Sequence, residues 1–180
     1  MITGHLATTL VAKRETPHAP WWLLIVAAFL IDIAMFTLVG LGIEQMEPAP
    51  NADGPTMSSA IVEMTYSHDL LPQLFWISLS GVLAYVFTRN GKIVIIAMLL
   101  TLGHWLGDLI SGYGHFVFGP ESAALGTDWY HKNLLAALVF EAVLGAACVY
   151  WFVRNQGYSL VAKTGLFVGF AMTPFVFLLF

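Results

Sequence analysis

The sequence predicts an all-α, polytopic transmembrane helical bundle, a single integral membrane domain over residues 1–180. Three observations lead there. Of 180 residues, 58% are hydrophobic and 10% charged, with mean hydropathy +0.78, whereas a soluble domain carries about 25% charged residues. Apolar runs long enough to cross a bilayer as helices recur along the chain, each bounded by a polar stretch. The basic residues sort onto one side of those runs, with Lys132 the exception.

In chain order, residues 2–12 are weakly apolar and shorter than the roughly 20 residues a spanning helix needs. With Lys13, Arg14 and Glu15 behind them, they read as a short half-depth or interfacial helix. Pro17 and Pro20 break the chain ahead of Trp21 and Trp22, which suit a headgroup boundary. The first span is 21–43, with Asp32 near its middle. Residues 44–68 carry Glu44, Glu47, Asp53 and Glu63 among several prolines, and read as an extramembrane loop with a short helix near 57–64. A second span, about 69–88, is joined by the tight turn Thr88–Lys92 to a third at about 93–113. A second polar loop, 114–132, leads to a fourth span, 133–153, which contains Glu141. A short Phe-rich stretch with Pro174, 165–180, completes about five spans.

Lys13, Arg14, Arg89, Lys92, Arg154 and Lys163 share one side of this arrangement. The positive-inside rule makes that side cytoplasmic, so the acidic loops 44–68 and 114–132 face outward. There is no basic patch, which argues against nucleic acid as a partner and leaves membrane lipids as the expected surroundings. The single cysteine, Cys148, can form no intrachain disulfide, and its apolar setting gives it a packing role. The run 21–43 is too long for a signal-peptide core, so no cleavable leader is expected.

The chemistry concentrates in residues 101–120, TLGHWLGDLISGYGHFVFGP. His104 and Asp108, four residues apart, lie on one helix face a turn apart. Ionisable groups inside a span mark a functional site by default, and His with a carboxylate at this spacing offers two ligands to one metal ion. A rise of about 1.5 Å per residue puts Asp32, His104, Asp108 and Glu141 roughly 16–22 Å from the cytoplasmic boundary, and His5 about 12 Å above Lys13. The same count leaves His68 about 30 Å above Arg89 unless tilt, or a kink at Pro72, lowers it. A charge at mid-bilayer costs about 2.5–3.5 kcal/mol on insertion scales, and no Lys or Arg lies within a span to pair with the three acids. A divalent cation held by Asp and His offsets several of those costs together.

Each residue alone has a plainer reading. His104 with Asp108 makes an interhelical hydrogen bond, Asp32 is a protonated acid, and His5 is an interfacial residue. His68 starts a helix that Ser67 caps, Glu141 is a supporting partner rather than a direct ligand, and His18 and His131 belong to loops. His115 either lines the outer mouth or is exposed. The metal reading rests on the set.

The segments GHLATTLVAKRETP at 4–17, LIDI at 30–33, LGIE at 41–44, YSHDLL at 66–71 and GHWLGDLISGYGHFVFGP at 103–120 occur in that order. This pattern resembles small bacterial membrane proteins of the metal-dependent hydrolase-like group, which includes the LexA-regulated inner-membrane hydrolases. The resemblance covers roughly residues 3–155. It implies a bacterial inner-membrane location and a metal site made by His5, Asp32, His68, His104 and Asp108. The Ser-His-Ser of close relatives is Ser67-His68-Asp69 here, their Thr-His pair is Ser111-Gly112, and His115 stands where Asp is frequent.

Together these lines predict an intramembrane divalent metal site, zinc-like from its His and carboxylate ligands. The accompanying chemistry is metal-assisted hydrolysis of a lipid-like ester or phosphoester, with Asp32, Asp108 or Glu141 as general base. A Ser-His-Asp triad is not expected, because Ser67, His68 and Asp69 are sequence neighbours and do not face one another on a helix. Two rivals use the same residues. The Phe-rich end VGFAMTPFVFLLF suits an accessory or assembly subunit of a larger membrane complex, and acids with imidazoles at mid-depth suit an ion or proton pathway.

Overall fold

A computed structural model describes residues 1–48 and 60–179. Seven α-helices are present among them: α1 (Ile2–Glu15), α2 (Trp21–Gly40), α3 (Leu70–Thr88), α4 (Gly91–Ser111), α5 (Trp129–Lys132), α6 (Leu134–Val153) and α7 (Leu160–Met172). A 3-10 segment, Thr173–Leu179, follows α7. Two small antiparallel hairpins interrupt the helices: β1 (Gln45–Pro48) with β2 (Ala60–Glu63), and β3 (His115–Phe116) with β4 (Ala124–Leu125).

Four helices, α2, α3, α4 and α6, are long and apolar enough to cross a membrane. Their ends carry the signals expected of the local sequence. Pro20 precedes α2, where its missing N–H costs nothing. The Asn90 side chain accepts from Lys92 N and Ile93 N to start α4, and Asn133 accepts from Ala136 N to start α6. Arg89, in the left-handed region at φ 51°, turns the chain from α3 into α4. The fifth predicted span is not among the four: α7 has 13 residues, about 20 Å of helix against a hydrocarbon core of about 30 Å.

Small residues let the helices approach. Ala27 and Ala28 of α2, Ala84 of α3 and Ala97 of α4 are all buried in one cluster with Leu23, Leu24 and Leu100. Between α6 and α7 the same part falls to Gly145, where an added Cβ would stand 3.0 Å from the Phe170 carbonyl oxygen.

Helix α1 runs inside the bundle alongside α6. At one end Glu141 Oε1 accepts from Thr3 N, Thr3 Oγ1 and Gly4 N, at 2.5, 2.5 and 3.0 Å. At the other, Arg14 donates to the Trp151 carbonyl and the Lys92 ammonium to the Glu15 carbonyl. Lys13, Arg14, Lys92 and Arg154 thus gather at the end where α1 stops, with Lys13 over the Trp21 ring and Arg154 over Trp151.

The opposite end is closed by the hairpins and the 126–132 segment. Residues 60–63, expected in a helix near 57–64, instead form a strand paired with 45–48; residues 57–59, like Pro50, Asn51, Asp53 and Pro55 of the acidic loop, lie outside the described residues. β-Branched Ile61 and Val62 alternate in exposure as a half-buried strand does. The second loop ties down the end of α4: Thr127 N donates to Leu109 O at 2.9 Å, Thr127 Oγ1 to Ile110 O, and Tyr130 N to Gly112 O. Gly126 makes that docking possible, with φ +80° and a would-be Cβ only 2.8 Å from Leu109 O. Gly126→Ala is expected to cost about 1–2 kcal/mol, read as a Tm lower by a few degrees in the detergent-solubilised protein. An unchanged Tm would show that this loop does not brace α4.

Candidate metal centre

One face of α4 presents Thr101, His104, Asp108 and Ser111, at offsets 3, 7 and 10, and all four are buried. It packs on the alanine stretch of α2. Thr101 Oγ1 donates to Ala27 O at 2.8 Å, and His104 Nδ1 lies 2.7 Å from Ala28 O. A carbonyl oxygen accepts only, so Nδ1 carries the hydrogen and the Nε2 of a neutral His104 is a bare lone pair. Asp32, one turn beyond Ala28, points to that same Nε2.

His68 arrives from a different kind of element. It precedes α3, whose N-cap is Asp69, and Pro72 sits harmlessly in the first turn. A kink at Pro72 is therefore not what lowers it. The segment 66–69 is instead folded against the bundle by side chains from elsewhere. Glu44, at the base of the first hairpin, accepts Tyr66 N and Ser67 N on Oε1 and the Ser67 hydroxyl on Oε2, each at 2.8 Å. Gln73 donates to Ser67 O, and the Trp105 indole to His68 O. Ser67 does not cap α3; its Oγ sits between Glu44 and His68 Nδ1, 2.8 Å from each. Because that hydroxyl gives its one hydrogen to Glu44, it accepts from His68 Nδ1–H, and His68 Nε2 too is left as a lone pair.

Both Nε2 atoms face the two aspartates. His104 Nε2 is 3.5 Å from Asp32 Oδ1 and 3.2 Å from Asp108 Oδ2. His68 Nε2 is 3.6 Å from each of the same two oxygens. Four ligand atoms from Asp32, His68, His104 and Asp108 lie within 4.8 Å of one another, and the group could hold a metal ion. His104 Nε2 is buried without a hydrogen-bond partner, so the donor set fits a cation on a second count: lone pairs turned towards carboxylate oxygens repel unless positive charge lies between them.

The remaining candidates flank this group. His5 stacks on His104, ring centroids 3.6 Å apart, and its Nε2 reaches Asp108 Oδ1 at 3.2 Å. The Met1 amino group lies 3.1 Å from that same oxygen. His5 thus meets Asp108 on Oδ1, whereas His68 and His104 face its Oδ2. Glu141 is occupied with the first turn of α1 and is not among the four. Glu44 and Ser67, which hold His68, were not singled out as site residues from the sequence. Both stand in segments that carry the resemblance, LGIE at 41–44 and YSHDLL at 66–71, and the adjacency of Ser67 and His68 suggests a helix cap.

Beside the cluster lies a cavity of about 100 Å³, lined on its polar side by Asp32, His68, Asp108 and His115. His115 is 1% exposed and stacks on His68, centroids 5.6 Å apart and planes within 5°. Burial holds its imidazole down, at about 4, and pushes the nearby Tyr113 phenol up to about 12.

The class of protein defined by fold and site is a helical bundle with membrane-length spans around a buried two-histidine, two-aspartate group able to hold a metal ion. No family model matches the chain, and neither a curated protein nor a solved structure matches it.

Proposed function

We propose that this is a metal-dependent hydrolase of the bacterial inner membrane, related to the LexA-regulated inner-membrane hydrolase group, that acts on a lipid-like ester or phosphoester. One observation carries the reading. Two imidazoles whose Nδ1 atoms are engaged elsewhere turn their Nε2 lone pairs onto two aspartates at 3.2–3.6 Å. Zinc would suit these donors, two imidazole nitrogens and two carboxylate oxygens, held by His68, His104, Asp32 and Asp108.

When bound, the ion supplies Lewis-acid polarisation of a carbonyl or phosphoryl oxygen and makes water a better nucleophile at neutral pH. The chain supplies the proton transfers. Asp32 and Asp108 both line the cavity, but Asp108 has both oxygens engaged and Glu141 is committed to α1, whereas Asp32 meets the two imidazoles through Oδ1. Asp32 takes a proton from water as the water oxygen bonds to the carbonyl carbon or phosphorus. The bond to the leaving alcohol then breaks, and Asp32 returns the proton to that oxygen. With the basic end of the bundle in the cytoplasm, the site lies in the outer half of the membrane, beneath the hairpins.

The test is incubation of the zinc-loaded protein with vesicles of bacterial phospholipid. Chelator-sensitive release of fatty acid or of a phosphorylated head group is expected, and His104→Ala should abolish it. No release from a protein that holds stoichiometric metal would overturn the hydrolase assignment. Proton flux in liposomes that survives metal removal would favour the proton pathway instead. Stable co-purifying subunits around a catalytically silent protein would favour the accessory role.

A further inference from the structure

His115 is the group in this site that nothing in the cluster explains. Both of its ring nitrogens are buried, and neither has a hydrogen-bond partner among the described residues. An unsatisfied buried polar group is costly, and here the surroundings hold it in place. Asp69 Oδ1 accepts Phe116 N at 2.8 Å and Oδ2 accepts Gly119 N at 2.6 Å. Asp128 Oδ1 accepts Gly114 N at 2.9 Å on the other flank. Three carboxylate hydrogen bonds thus bracket residue 115, and the β3–β4 pairing fixes it again. The ring is delivered into the cavity over His68, yet it is not one of the four atoms that could share an ion.

The cavity sets what it can meet. About 100 Å³, where a single water needs about 10–15 Å³ on the same measure, admits a polar head group and not a whole lipid. Its remaining walls include Met35, Met46 and Met64 as well as Tyr113 and Tyr130, and two further lining residues, Phe36 and Ile2, are exposed on the flanks of α2 and α1. An apolar chain has a path out over those two side chains, on a surface that membrane lipid would cover.

We propose that His115 is the substrate-contacting residue of this site: a ring N–H donates to an oxygen of an ester or phosphoester head group seated beside the four-ligand cluster, while the apolar chain leaves across Phe36 and Ile2. This rests on the metal-hydrolase reading above and adds to it a residue and a mode of substrate entry. His115 acts on the substrate, and the ion is held without it.

Cobalt(II)-loaded protein tests this without an activity assay, because its visible absorption reports ligands added at the ion. Inorganic phosphate and butyl phosphate are titrated against the wild type, His115→Phe, which keeps a ring to stack on His68 but no ring N–H, and His115→Asn, which restores a donor. One cobalt per chain is expected in all three, with phosphate bound about tenfold more weakly by His115→Phe and most of that loss recovered by His115→Asn. Butyl phosphate should bind the wild type more tightly than phosphate does. Equal phosphate affinities in wild type and His115→Phe, with cobalt bound, would overturn the role of His115 alone. So would loss of cobalt in His115→Phe, or two cobalt ions falling to one, since either makes His115 a metal ligand. A wild type that takes up no cobalt would overturn the underlying metal reading, and this inference with it.

Discussion

Replacing His104 with alanine is expected to abolish stoichiometric binding of a divalent ion. His104 is the residue most completely prepared for coordination. Its Nδ1 is bound to Ala28 O at 2.7 Å, its ring is clamped by His5, and its Nε2 faces both aspartates without a hydrogen-bond partner. Outer-shell partners of metal ligands are worth about 10–100-fold in affinity, so loss of a ligand from a four-atom set should exceed about 100-fold. The thermodynamic consequence is measurable separately. Ligand at about 100 times its Kd stabilises a folded protein by about 2.7 kcal/mol, so a chelator should lower the Tm of the wild type and leave that of His104→Ala unchanged. Elemental analysis and a thermal scan, each with and without chelator, decide it. Stoichiometric metal in His104→Ala, or none in a wild type purified with metal supplied, would remove the centre proposed here.

Glu44→Ala is expected to weaken metal binding by about 10–100-fold although Glu44 is not among the atoms that would touch the ion. The carboxylate accepts three hydrogen bonds, two from backbone amides and one from the Ser67 hydroxyl. Without it the hydroxyl can donate to His68 Nδ1, which favours the tautomer with hydrogen on Nε2, and the lone pair aimed at the aspartates is lost. The two amides also lose their acceptor, at about 1–3 kcal/mol for each that stays buried, so the Tm should fall as well. Ser67→Ala separates the two effects: it removes the link to His68 but keeps Glu44 on the amides, so metal affinity should drop with a smaller loss of Tm. Competition with a colorimetric chelator reads the affinities. Wild-type affinity in Glu44→Ala would mean that the Glu44–Ser67–His68 chain does not prepare His68.

The residue pattern alone determined the four long apolar helices, the gathering of Lys13, Arg14, Lys92 and Arg154 at one end, and the shared face of His104 and Asp108. Each follows from a property local to one helix: its length, its flanking charges, or the 3.6-residue period. Counting residues along the spans also set Asp32 and His104 at a common depth, and their atoms meet at 3.5 Å. The tertiary structure decided the rest. His68 is brought in by contacts with Glu44, Gln73 and Trp105, and His115 by Asp69, 47 residues from Phe116. No period in the sequence records a hydrogen bond between an acid at the foot of one hairpin and a serine some twenty positions later. The 60–63 strand differs from the helix expected near 57–64 for the same reason, since a short apolar run takes its conformation from what it pairs with. Helical spacing places side chains within an element, and long-range polar contacts place loops around them; that is why the shared face of His104 and Asp108 follows from α4 alone and Asp32 and His68 join them in the group the sequence expected, while the contacts of Glu44, Ser67 and Asp69 that set His68 and His115 in place are not legible in it.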